Sequence, residues 1–159
     1  MQLQKHYHLA YYNLGTLYRN KGQSQEALEA YNQALKLEPK YASALNNRGT
    51  VYLTLGKPDA ALADFNAALK LDPKDPDAHN NRGYILLLQN KRSEALPEFD
   101  LAIQLNPQFA LAYANKAELL YKQGKCPEAL PLIEKSCELG NTKACNVLKT
   151  LTCPANEAE

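Results

Sequence analysis

Apolar positions recur three or four residues apart along this chain, in stretches of about a dozen residues separated by short polar turns. Ala44, Leu45, Arg48, Val51, Tyr52 and Leu55 mark one face of a helix, with the aliphatic stem of Arg48 supplying part of the stripe. Gly56-Lys57-Pro58-Asp59 interrupts the pattern, and Pro58 and Asp59 suit the first turn of a new helix. Ala61, Leu62, Phe65, Ala68, Leu69 and Leu71 then give a second stripe. Asp72-Pro73 ends it, because a proline disfavours helical backbone in the residue before it.

This helix–turn–helix pattern returns every 34 residues. Gly15, Gly49 and Gly83 keep the interval, and Ala117 takes the same place in the fourth copy. Ala27, Ala61, Ala95 and Ala129 form a second series, and Pro39, Pro73 and Pro107 a third. Tyr31, Phe65, Phe99 and Ile133 form a fourth, and Ala34, Ala68, Ala102 and Ser136 a fifth. Small residues on both helices allow close approach while an aromatic ring fills the adjacent space. The pattern predicts a single domain over residues 1–159, with repeats at about 8–41, 42–75, 76–109 and 110–143. A capping helix is expected at about 142–151, then a frayed tail at 152–159. Gly22, Gly56 and Gly124 suit left-handed helix ends, with Asn90 in that role in the third copy. Pro97 and Pro131 are expected inside the first turns of their helices, distorting them slightly.

The motif Tyr11-x-x-Leu14-Gly15-x-x-Tyr18, followed by Ala27, Tyr31, Ala34 and Pro39 and repeated in the next copies, resembles the tetratricopeptide repeat. The resemblance covers about residues 8–143; the fourth copy departs at Ala117, Ile133 and Asn141, as terminal repeats commonly do. It implies an all-α fold, a right-handed α-solenoid of about four helix-turn-helix repeats plus a C-terminal capping helix. It also implies a concave groove lined by the first helices, which binds an extended peptide or a helix of a partner protein.

On the expected groove side, two residues before each Gly or Ala, stand Asn13, Asn47, Asn81 and Asn115. Asn is a weak helix former, so four in register need a reason. A carboxamide can pair with a peptide's C=O and N–H, and helices about 8–10 Å apart would meet an extended strand at about every third residue. The arrangement resembles the asparagine ladder in the repeat domain of O-linked N-acetylglucosamine transferase. The competing reading is that these residues hold adjacent repeats together. Tyr12, Thr16, Asn46 and Thr50 surround the ladder in the first two copies, and Asn80, Tyr84 and Tyr121 in the later ones. Tyr suits a binding surface, since it offers area with few rotors to freeze, and it equally suits packing between helices.

Some tetratricopeptide domains clamp the C-terminal carboxylate of heat-shock chaperones with two Lys, one Arg and two Asn. Counted from the repeat glycines, those places hold Tyr12, Thr16, Asn47, Asp77 and Asn81 here, and the frame one repeat along also gives one match. Without the cations such a clamp is not expected.

Composition narrows the rest. Lys and Arg number 18 against 17 Asp and Glu, a net charge of +1, which gives no electrostatic case for nucleic acid. No run of apolar residues is long enough to span a membrane, and no signal peptide opens the sequence. No Ser, His and Asp constellation, paired-His metal motif or phosphate loop is present, so neither catalysis nor a cofactor or metal is expected. His79 stands where Tyr11 and Tyr113 do and is expected to pack; His6 and His8 are expected in a frayed N-terminus.

The cysteines cluster at the C-terminal end: Cys126, Cys137, Cys145 and Cys153. Four cysteines allow three connectivities. Cys137 and Cys145 lie four residues to either side of Asn141 in the last turn, and Cys126 and Cys153 lie nearly symmetrically about it. Antiparallel helices would thus allow Cys137–Cys145 and Cys126–Cys153 bridges, with four reduced thiols as the alternative. The segment from Lys135 to Cys145 also resembles cysteine-rich Sel1-like repeats, whose spacing implies a bridge between helices. Bridges would place the protein outside the cytoplasm, with its export signal removed. The first repeat has nothing before it to cover its helix, so self-association through the N-terminal repeat is the rival to peptide binding.

Overall fold

The computed structural model describes residues 7–151 and Cys153. His6 and the expected frayed tail, apart from Cys153, lie outside the described residues. Among those residues there are nine α-helices and no strand: α1 (Tyr7–Asn20), α2 (Ser24–Leu37), α3 (Ala42–Thr54), α4 (Pro58–Leu71), α5 (Pro76–Leu88), α6 (Arg92–Leu105), α7 (Ala110–Lys122), α8 (Cys126–Glu138) and α9 (Thr142–Thr150). His8 therefore belongs to a helix, and its ring meets Tyr41 edge-on at 5.4 Å.

Both kinds of turn follow from local chemistry. Gly22, Gly56, Gly124 and Gly140 take positive φ, and Asn90 does so at 60°. At each of these sites two backbone bonds close the helix end: after α1, Gln23 N–H donates to Tyr18 C=O and Gly22 N–H to Arg19 C=O. The turns after α2, α4 and α6 use the residue before proline. Glu38, Asp72 and Asn106 each accept the backbone N–H two residues on. Pro97 and Pro131 differ from expectation in place. Because α6 begins at Arg92 and α8 at Cys126, each proline is the sixth residue of its helix, in the second turn, and both helices continue through.

The helices form two compact units, Met1–Arg82 and Gly83–Glu159, with the division inside α5. In the first unit Ala27, Tyr31, Ala61, Phe65 and Ala68 are wholly buried. A methyl group placed on Gly15 would lie 2.7 Å from Tyr31 Cε1, and one on Gly49 2.5 Å from Phe65 Cε1, so the glycines are there to admit the rings. In the second unit Gly83 stands in the same relation to Phe99, at 2.8 Å. The fourth copy enlarges one partner and shrinks the other: Ala117 and Ile133 share its core. Ser136, in place of alanine, is fully buried, and its hydroxyl donates to Ala110 C=O at 2.7 Å.

α9 seats Ala144 and Leu148 on the second unit's core, with Leu151 just beyond. Asn141 caps it, accepting from the N–H groups of Lys143 and Ala144. Disulfides join Cys137 to Cys145 and Cys126 to Cys153, with Cα–Cα distances of 4.7 and 5.5 Å. Both distances lie in the range that a bridge spans without backbone movement.

Candidate functional site

In the first unit the candidate face is built on α1, α3 and the start of α5. Asn13 is exposed on α1. Asn47 links the two repeats: its amide donates to Tyr12 Oη at 3.1 Å, and its carbonyl accepts from Arg19 Nη1 at 2.9 Å. Asn81 donates to Asn46 Oδ1 at 3.0 Å, repeating the link one step along. A carboxamide has two N–H groups and two acceptor lone pairs. Asn47 spends much of that capacity inside the protein, since it also hydrogen-bonds Tyr31 on α2, while both Asn47 and Asn81 remain half-exposed.

The surrounding residues divide sharply. Tyr12 packs its ring against Tyr31 and Tyr41, at 6.0 and 5.0 Å. Thr16 Oγ1 lies 3.1 Å from Tyr31 Oη, and Thr50 Oγ1 donates to Asn47 C=O at 2.7 Å. Burial pushes the Tyr31 and Tyr41 hydroxyls above their ordinary range. Asn46 and Asn80 are buried. In the second unit Asn115 is also buried, Tyr84 is half-buried and Tyr121 is 46% exposed. Asp77 lies at one of the places where the chaperone-tail clamp has a cation. Its carboxyl is held above the usual range by lost hydration and the neighbouring Asp75, with Arg19 acting in the opposite direction. His79 is buried, and its Nε2 lies 3.0 Å from Pro73 C=O, where Tyr113 donates to Pro107 C=O in the next repeat.

One polar series escaped the sequence reading. Arg48 grips Asp64 on α4 through Nε and Nη2, at 2.8 and 2.7 Å, and reaches Asn32 on α2 with Nη1 at 2.8 Å. Its guanidinium also lies over the Tyr52 ring. The bonds to Asp64 raise its pKa further. Arg82 donates to Asn66 at 3.3 Å, and Lys116 pairs with Asp100 at 2.6 Å. The signal was available: Arg48, Arg82 and Lys116 are 34 apart, as are Asn32, Asn66 and Asp100 sixteen residues before them. Treating Arg48 as an apolar stem hid it. The first repeat has Leu14 at this place.

No helix among the described residues is long and apolar enough to cross a membrane. A search of curated protein sequences gives no match. Among solved structures, PilF of Pseudomonas aeruginosa is similar over 92% of this chain and 68% of its own, with a TM-score of 0.83 and 24% identity. YrrB, described as a TPR protein with an unusual peptide-binding site, is 25% identical over 91% of this chain and 75% of its own, with a TM-score of 0.72. The first TPR domain of Spaghetti (RPAP3), solved with the HSP90 peptide SRMEEVD, is 23% identical, covers 75% of this chain and 94% of its own, and has a TM-score of 0.71. These likenesses show the fold class, an all-α solenoid of helix-turn-helix repeats. The family model for the tetratricopeptide repeat matches residues 12–76, 47–108 and 81–144, nearly the whole of the described chain. The 34-residue period, the glycine–aromatic contacts and these matches agree: the chain belongs to the tetratricopeptide repeat family.

Proposed function

We propose that the chain is a non-enzymatic protein-interaction scaffold that takes an extended segment of a partner protein on the face of its first helices. The observation that carries this reading is the pair Asn47 and Asn81. Each is anchored to the preceding repeat and remains half-exposed to solvent. An anchored carboxamide loses little rotamer freedom when it meets a peptide group, so its bond to a ligand is less offset by ordering. Asn13 and Tyr121 extend the exposed polar and aromatic surface in their respective units. YrrB gives a precedent for peptide binding on this fold. The HSP90 peptide bound by Spaghetti does not transfer, because Asp77 puts a carboxylate where that ligand class needs a cation. The paired cysteines support an extracytoplasmic location as part of the proposal.

The test is selection of binding peptides from a random library against the immobilised chain, followed by affinity measurement. Asn47→Ala with Asn81→Ala should weaken binding by roughly tenfold per lost bond. Asn13→Ala, which removes an exposed side chain, should weaken it without changing stability. Equal affinity of all three proteins for the selected peptides would remove the ladder from the account.

A further inference from the structure

α1 carries a second surface, turned away from the Asn face. Tyr7, Tyr11, Leu14 and Tyr18 fall on one stripe of the helix, and Leu17 flanks it. Tyr7, Tyr11, Leu14 and Leu17 are all exposed. Tyr11, Leu14 and Tyr18, with Ala30, Asn32 and Gln33 of α2, line a shallow groove whose rim holds Glu26 and Glu29. In α3 the corresponding places hold Leu45, Arg48 and Tyr52, and α2 covers them: Leu45 shares a core with Leu35, and Arg48 bonds Asn32. Among the described residues no helix precedes α1.

The residue at Leu14 indicates what fits there. In the other three repeats this place holds a cation that meets an amide or carboxylate on the helix before it. A helix face meant for water should be polar. On α1 it is apolar, so a helix with the chemistry of α2 or α4 would set its acceptor against leucine and leave it unpaired. The face calls for an occupant without charge along its stripe, and α1 itself is one. The spacing 7, 11, 14, 18 reads identically from either end. Antiparallel pairing about a twofold axis sets Tyr7 against Tyr18 of the partner copy and Tyr11 against Leu14 of the partner copy. Glu26 and Glu29 sit by the Tyr18 end, so in that arrangement the two acidic rims lie at opposite ends and do not oppose each other.

We infer that α1 is a self-association surface, through which two copies of the chain pair as an antiparallel dimer. A 14-residue helix is about 21 Å long. With its rim it offers less than the roughly 800 Å² per partner of a standard interface, so the dimer is weak, with a dissociation constant in the micromolar range or above. It uses a face of α1 distinct from the proposed peptide-binding face, and the two readings stand or fall separately.

Sedimentation equilibrium from about 1 µM to about 1 mM tests it. The wild-type mass should climb from 17.7 kDa toward twice that value. Leu14→Arg, which gives the first repeat the residue that the next two carry, should remain monomeric throughout with an unchanged circular dichroism spectrum. Hydrogen exchange on the wild type needs no substitution: amides of α1 should slow at the high concentration while those of the second unit do not. A monomer at 1 mM, a dimer that persists in Leu14→Arg, or protection confined to other helices would each overturn the inference.

Discussion

A methyl group is the smallest change a protein can register, and Gly49 is where this chain is most sensitive to one. A Cβ there would lie 2.5 Å from the buried edge of Phe65, closer than carbon atoms pack. Gly49→Ala should cost about 1–3 kcal/mol of stability by urea denaturation. The fourth repeat suggests the remedy, since it combines Ala117 at the glycine place with Ile133 at the aromatic place in one core. Phe65→Ile added to Gly49→Ala should recover part of the loss; a double mutant at least as unstable as the sum of its parts would refute the exchange. These contacts were legible from sequence, because a glycine and an aromatic in register within one repeat have few other reasons to recur. The bonding of Asn47 was not. Its position on α3 follows from helical period, but whether its amide meets Tyr12 or solvent depends on how far α1 lies from α3, which no periodicity encodes.

At the scale of elements, two devices join helices to one another. The first is Arg48, whose bidentate grip on the nearly buried Asp64 ties α3 to α4 while Asn32 ties it to α2. Arg48→Met leaves that carboxylate without its partner, and a loss of about 2–3 kcal/mol is expected in a thermal or urea melt. Adding Asp64→Leu should restore much of it; a further large loss would show that the pair itself was the stabilising term. The second device is the pair of bridges that tie α8 to α9 at Cys145 and to the chain just past it at Cys153. With the joined cysteines 27 and 8 positions apart in sequence, the chain-entropy estimate gives ceilings of about 3.5 and 2.5 kcal/mol. Reduction should lower the unfolding midpoint and speed amide exchange first in residues 142–150. Exchange unaltered in α9 would mean that Ala144, Leu148 and the Asn141 cap hold it unaided. Symmetry about the last turn made the pairing conceivable from sequence. The grip of Arg48 was missed because its stem was counted into the apolar stripe, so its charged head was never matched to the Asn and Asp positions that recur with it.

At the scale of the molecule, the repeat sets what can be read and what cannot. Period, helix boundaries and turn chemistry all belong to one unit copied along the chain, so they were open to inspection. The surfaces that distinguish the copies, such as Leu14 in place of arginine, emerge only when each copy is compared with its neighbours. The cross-linked end has a consequence for assembly. A terminal helix is ordinarily the piece that one polypeptide lends to another when copies exchange matching parts. Tied to α8 at Cys145 and again just past its end at Cys153, α9 is denied that trade once the sulfurs are oxidised.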